Sequence, residues 1–578
     1  MAKTLTSSME CLSSLGWDCV FSLFPSLLLL VASLVLRRPR VQRWAGLGVR
    51  AAAWGCWVAV CWLLELPLPR AEEHGLEDGF GPALDHTSGA SLACKPTALA
   101  RFLLQHCGSL ARPRLARWPR GDPHLQSLAS LLWGGPGGGV CGEGLTFTRD
   151  HLLLKDGGVL GLDWAVRVKG GEGVDRREGG EGRREHHPGA RALGCHTSTP
   201  PILLLVPHFW GGVTPHLRGL CAAALRQGFY AVVFHRRGTA GCPLATPRLT
   251  EFGDPADLLQ AVAYVRSRHP SSVLLAVSEG SGSGLLLSYL GECGSSSHLT
   301  AAACVSPVLQ AQLWMDTALP ALYHQGALVH RKLQLSRYES SLRPVLNVDR
   351  ALRSSSLRDF EEALFCSSSS SASTPDALPR PPSPEAKPGA GGAGLPPSVA
   401  WALGERARPA RDLDAYWERN EPLRDADEVA VPVLCLCSRD DPFLLPASTL
   451  PLPLFQNNPY FLLAMTDRGG HCGFRLERGG GEEGGGGGRR ERGRRGKEEE
   501  GGESWSHGAV LEYFRVVAEF LKVEEGKGWG PAGGGRGAAP PPRRRRATMT
   551  RRPRLQTQGH ASQGGGEGLF TWQRSYTR

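Results

Sequence analysis

Leu274-Leu275-Ala276-Val277-Ser278-Glu279-Gly280-Ser281-Gly282-Ser283-Gly284-Leu285 passes from a short apolar run through a string of small residues into a second apolar run. Such a stretch reads as a buried strand, a sharp turn and a helix. Where a strand turns this abruptly into a helix, the central residue stands exposed at the sheet end, which is how a Gly-x-Ser-x-Gly motif presents a serine nucleophile. The turn needs small residues two places either side of its centre, since larger ones would collide. Windows centred on Gly280 (Ser278, Gly282) and on Gly282 (Gly280, Gly284) meet that demand. In both, the centre is glycine. A window on Ser281 puts Glu279 and Ser283 at the tight positions. The expectation is a turn centred on Gly280 or Gly282, with Ser281 off the nucleophile position unless the turn is distorted.

Working outward, Ile202–Val206, Tyr230–Phe234, Val273–Val277, Ala301–Val305 and Val433–Cys437 are short apolar runs rich in branched residues. Continuous rather than alternating apolar character marks strands buried on both faces, as in a parallel sheet covered by helices. Leu217–Gln227, Asp254–Arg266, Leu285–Leu290 and Val510–Val523 read as the covering helices, the first ending at Gly228. The predicted fold is therefore α/β, a doubly wound, mostly parallel sheet spanning Leu92 to Lys522.

Three insertions, 170–189, 367–407 and 479–503, and a tail over 526–578 are dominated by Gly, Pro, Ser, Arg and Glu. Their composition cannot bury enough apolar surface to fold, so they are expected outside the sheet. The formal charge of +11 is concentrated in Arg-rich blocks of those segments, notably Arg489–Lys497 and Arg543–Arg554. That distribution points to solvated charge and not to a nucleic-acid surface. Sixteen cysteines form no CxxC pair or Cys/His cluster with zinc spacing, so the sequence predicts no metal site. No phosphate-binding Gly-rich loop or dinucleotide fingerprint occurs, and no cofactor is expected.

Residues 1–70 carry two apolar runs, Val20–Leu36 and Ala51–Leu64, separated by five arginines. The first is just long enough to span a bilayer. Arg37-Arg38-Pro39-Arg40 stands where a signal-peptide cleavage site would need small residues, which favours an uncleaved anchor over a secreted product. Trp54, Trp57 and Trp62 suit an interfacial segment as well as a second crossing.

Further short motifs run in a fixed order along the chain: Pro123-His124-Leu125-Gln126, Lys155-Asp156-Gly157-Gly158, His235-Arg236-Arg237-Gly238, Thr246-Pro247-Arg248, Asp254-x-x-Asp257-Leu258, Tyr289-Leu290-Gly291, Asp440-Asp441-Pro442 and Gly469-Gly470-His471-Cys472-Gly473-Phe474. Together these resemble the membrane-anchored α/β-hydrolases of the family that includes α/β-hydrolase domain-containing proteins one and three. The resemblance implies the α/β-hydrolase fold and hydrolysis of acyl or lipid esters by Ser, Asp and His arriving in that order.

Carried over residue by residue, the resemblance puts the orienting carboxylate on Asp441, with Asp440 adjacent, and the base on His471. The loop after Val206 supplies the second oxyanion donor, the backbone N–H of Phe209 or Trp210. Counting back from Tyr289-Leu290-Gly291, the nucleophile falls on Gly280 and Ser281 comes one place late. Two readings follow. One is a membrane-tethered carboxylesterase or lipase attacking through a shifted Ser281. The other is an impaired hydrolase-fold regulator that keeps Asp441 and His471, leaves Ser281 facing the helix N-terminus, and binds an acyl ligand or a partner protein instead of turning it over. The tip Phe570-Thr571-Trp572, with Arg574 and Tyr576, has the residue types of a docking anchor.

Overall fold

A computed structural model of the chain describes residues 39–67, 90–111, 113–131, 145–167, 199–367, 406, 408–477 and 504–527. The predicted anchor over 20–36, nearly all of the three insertions and almost the whole tail lie outside the described residues. The chain divides into two units, Met1–Arg70 with Pro320–Leu322, and Ala71–Leu319 with Tyr323–Arg578. In the first, Pro39–Leu63 is one helix that contains most of the second apolar run. Among the described residues no helix is long and apolar enough to cross a membrane.

In the second unit, nine strands form one sheet: β1 (Ser91–Ala93), β2 (Leu145–Leu153), β3 (Val159–Arg167), β4 (Ile202–Val206), β5 (Tyr230–His235), β6 (Leu274–Glu279), β7 (Ala301–Val305), β8 (Val433–Ser438) and β9 (Phe461–Thr466). Their spatial order is β1-β9-β8-β7-β6-β4-β5-β3-β2. The six from β4 to β9 pair parallel to their neighbours, and β1, β2 and β3 join antiparallel at the two ends. This is the α/β-hydrolase fold. The strand order reverses direction beside β4, and ligands of open α/β sheets bind at the carboxyl ends near such a switch.

The parallel strands β4 to β9 are largely apolar and buried because each of their faces meets a helical layer. Leu203, Leu205, Leu275, Val277, Leu434 and Leu436 pack on one side, with Leu217, Leu220, Val510 and Phe514 from the helices Pro215–Arg226 and Trp505–Lys527. The residues between them, such as Leu204, Val232, Phe234, Ala276 and Cys435, pack on the other side against Leu258, Val262, Leu286 and Leu290 from Ala256–Arg268 and Ser283–Cys293. A third apolar cluster, built from residues 308–315, 328–366 and 410–417, gathers Phe209 and Phe252 beneath Trp314, Phe360, Tyr416 and Trp417. It forms a cap at the site end of the sheet.

Several of the ordered motifs converge in one buried ion network. Arg237, after β5, donates through Nη1 to Asp156 Oδ2 at 2.8 Å and through Nε to Asp257 Oδ2 at 2.8 Å. Arg248 donates to Asp156 at 3.1 Å and to Asp254 at 2.6 Å. All five side chains are buried. Burial by itself would raise the Asp156 carboxyl, but the hydrogen bonds and charge of Arg237 hold it below the ordinary carboxylate range. The network ties the β2–β3 turn to the loop after β5 and to the start of the helix Ala256–Arg268.

Candidate active site

β6 ends at Glu279, Gly280–Gly282 makes one tight turn, and the helix begins at Ser283. The centre of the turn is Gly280, with φ of +50°. A side-chain-bearing residue is strained there, and strain of this kind is stored at nucleophile turns. Glycine adopts it freely. Gly282 lets the backbone pass close to the neighbouring loop, since a Cβ on it would lie 2.2 Å from Pro207 O.

Asp441 and His471 come together. Asp441 sits in the loop after β8 and His471 in the loop after β9, and the His471 Nδ1 lies 3.0 and 3.1 Å from the two carboxylate oxygens. Both side chains are buried. The imidazole is held from the backbone outward: the His471 N–H donates to Ser127 Oγ at 2.7 Å and its carbonyl accepts from Ser130 Oγ at 2.7 Å. Those serines lie on the helix Pro123–Leu131, which opens with the Pro-His-Leu-Gln motif. Asp440 does not share the task of Asp441. Its Oδ1 accepts the Gly470 N–H at 2.9 Å, fixing the loop one residue before His471, and burial pushes its carboxyl up to about 7.

Ser281 is not placed with the pair. It is buried, and its Oγ accepts the Phe209 N–H at 3.1 Å, with no hydrogen bond to His471. Nor does it cap the following helix, as the sequence reading of an idle Ser281 supposed. The reason is rotational: with Gly280 at the centre, the next side chain points back into the β4 loop. Of the two oxyanion candidates, Phe209 thus presents its N–H to the site, where Ser281 occupies it. Trp210 contributes its indole, stacked on His208 with ring centroids 5.1 Å apart and planes 10° from parallel.

His208 escaped the sequence reading. A Cβ built on Gly280 would stand 2.2 Å from His208 Cε1, 2.4 Å from His208 Nδ1 and 2.7 Å from His471 Nε2. His471 therefore faces the point where a nucleophile's side chain would begin, and the His208 ring already fills it. His208 is 1% exposed, and burial drives its pKa down to about 4, with Glu279 opposing the shift. Its Nε2 lies 3.6 Å from Glu279 Oε2. Glu279, wholly buried, turns away from the tight side of the elbow and accepts from Thr214 Oγ1 at 2.8 Å, with His216 Nδ1 at 3.0 Å. Burial pushes the Glu279 carboxyl up, but His208, His216 and Thr214 together hold it below its ordinary value. The signal for this arrangement was the glutamate itself: a buried charge at a tight position requires partners.

Beside Phe209 a small cleft opens under the cap. Phe209, Leu335, Phe360 and Leu364 give it an apolar wall, and Arg236 and Arg331 lie over the Phe209 ring at 4.7 and 4.3 Å from its centroid. Arg236 is 4% exposed, donates only to the carbonyls of Glu251 and Phe252, and is lowered to about 10 by burial and by the charge of Arg331.

No sequence-family model matches the chain. Medium-chain fatty acid ethyl ester synthase/esterase 2 of Saccharomyces cerevisiae is 24% identical over 379 residues, covering 57% of this chain and 75% of the yeast protein. Phospholipase ABHD3 of Mus musculus is 25% identical over 419 residues, covering 68% and 83%. Among solved structures, the Pyrococcus furiosus esterase Pf2001 aligns at 12% identity and a TM-score of 0.28, over 57% of this chain and 85% of that one. Protein ABHD15 of Homo sapiens is 40% identical over 530 residues, 89% of this chain and 93% of its own length. With that identity spread across nearly the whole of both proteins, the chain belongs to the α/β-hydrolase domain-containing family of Protein ABHD15.

Proposed function

We propose that this protein retains the hydrolase scaffold and the Asp441–His471 pair but does not turn over esters through a serine, and that it serves lipid metabolism by holding an acyl ligand. The observation that carries the reading is the 2.2 Å between His208 and the Cβ position of Gly280. Attack requires the serine oxygen beside both the imidazole and the oxyanion donors, and a misplacement of about 1 Å already costs on the order of a hundredfold. Here Gly280 has no side-chain hydroxyl, and the Ser281 hydroxyl accepts from Phe209 N–H.

The ligand class follows from the cleft and from the relatives. An apolar wall with the buried cation Arg236 at one side, beside Arg331 paired with Glu361 at 2.8 Å, suits an acyl chain that ends in an acid head. Phospholipase ABHD3 and the yeast ethyl ester synthase/esterase bear acyl-ester names, which supports the same class. Tethering to a membrane through Val20–Leu36 and docking of a protein partner belong to the same proposal and rest on the sequence.

Treating the full-length protein with a fluorophosphonate probe and mapping the modified peptide tests this reading. No adduct within 278–283 is expected. An adduct on Ser281 that disappears in His471→Ala would establish serine hydrolysis instead.

A further inference from the structure

His208 and His471 approach the empty side of Gly280 from two different loops, and each has a carboxylate behind it. Asp441 stands on the Nδ1 of His471 at 3.0 Å, and Glu279 lies 3.6 Å from the Nε2 of His208. That arrangement leaves His471 Nε2 and His208 Nδ1 close to one point, 2.7 and 2.4 Å from the Gly280 Cβ position. The third group is Cys472, fully buried, whose Sγ donates to the carbonyl of Val305 at 3.7 Å and lies within hydrogen-bond reach of the Ser306 side chain and the Gly280 backbone. One donor atom from each of His208, His471 and Cys472 lies within 4.8 Å of the other two.

Two further observations point to a cation. Both ring nitrogens of His208 are buried without any hydrogen-bond partner, an arrangement that costs on the order of 1–3 kcal/mol for a polar group of this kind. The buried carboxylates Glu279 and Asp441 face histidines and, among the described residues, neither is paired with a lysine or arginine. A divalent ion between the two imidazoles would satisfy the orphaned nitrogen and compensate both carboxylates. A carboxylate on the far nitrogen of a ligating histidine is the usual means of fixing its ring and tautomer.

We propose that His208, His471 and Cys472 form a three-ligand site for zinc(II), seated over Gly280 where a nucleophile's side chain would otherwise stand. Two imidazoles and a thiolate are the donor set of a borderline ion, and three protein ligands leave a fourth position open to water or to a ligand. In a tetrahedral site the donors stand about 3.3–3.7 Å apart, so the three groups must close by on the order of 1 Å as the ion enters. The Cys472 thiol gives up its proton to solvent on binding, and the ion takes the resulting thiolate. The proposal rests on the reading that His471 serves no serine in this chain. It also accounts for a pattern invisible in linear spacing, since the donors come from the loops after β4 and β9.

Cobalt(II) titrated into chelator-treated full-length protein tests the site. One equivalent should produce a thiolate-to-cobalt charge-transfer absorption, and zinc should displace the cobalt and abolish it. The band should vanish in Cys472→Ser and in His208→Phe, while Asp441→Asn should weaken binding by about 10–100-fold. Zinc should raise the melting temperature of the wild type and leave Cys472→Ser, folded by circular dichroism, unmoved. Absence of the band in the wild type, or its persistence in both ligand variants, overturns the proposal. Fluorophosphonate labelling of the same chelated protein reads the serine question separately, so failure of one reading is distinguishable from failure of the other.

Discussion

The ring of His208 stands in the space that a side chain on Gly280 would need, 2.2 Å from its Cβ position. Two features of the turn are therefore coupled: the glycine admits the histidine, and the histidine keeps any larger residue out. Restoring a serine alone is expected to fail. Gly280→Ser should lower stability by about 1–3 kcal/mol through overpacking and leave ester hydrolysis at background. The double variant Gly280→Ser with His208→Gly should relieve the clash and bring the serine beside His471. Hydrolysis of a short-chain p-nitrophenyl ester at least tenfold above wild type is the expected readout.

Ser281 should matter to stability and not to turnover. Ser281→Ala removes the acceptor of the buried Phe209 N–H, at a cost of about 1–3 kcal/mol. Chemical denaturation should show this loss, with residual esterase activity unchanged. A hundredfold fall in activity without loss of stability would assign Ser281 a chemical role.

The cleft beside Phe209 should bind acids in preference to neutral lipids. Arg236→Gln removes a buried cation that, among the described residues, has no carboxylate partner within hydrogen-bond reach. Displacement of a fluorescent fatty acid should weaken by at least tenfold in this variant. Affinity for a monoacylglycerol of the same chain length should hardly change. Equal losses for both would locate the ligand elsewhere.

The Arg237 network sets a pH dependence whose sign can be worked out. Asp156 and Asp254 are held below the ordinary carboxylate value, so the unfolded chain binds protons there before the native one does. Their stabilisation is complete above about pH 4 and is lost as pH falls further. Arg237→Met leaves Asp156 and Asp257 short of a partner and should cost about 3–5 kcal/mol at pH 7. Protonation of those carboxyls relieves the variant, so its deficit in melting temperature should narrow between pH 7 and pH 4. A deficit that stays constant would mean that packing, and not charge, is what the arginine supplies.

What the sequence by itself determined was local and periodic. Continuous apolar runs specified buried strands, and Ala301–Val305 and Ile202–Val206 appear as read, since a strand covered on both faces can hold nothing else. The small residues around Gly280 specified the turn and limited its centre to Gly280 or Gly282, because backbone geometry there tolerates little variation; the structure places it at Gly280. Asp441 and His471 were legible through the ordered motifs that carry the family resemblance, although the strand before His471 was not read from the sequence. Tertiary structure alone decided what fills the elbow. His208 follows an ordinary strand, and nothing near it in sequence says that its ring will meet Gly280. Glu279, an obstacle when counted along the turn, is accommodated because Thr214 and His216 arrive from the start of the helix Pro215–Arg226. The Asp156, Arg237, Arg248, Asp254 and Asp257 network was likewise spread over separate motifs, each meaningful only once the sheet brings the loops together. Periodicity is written along the chain. The identity of a side chain's neighbour depends on how strand ends converge, a property of packing between residues distant in sequence.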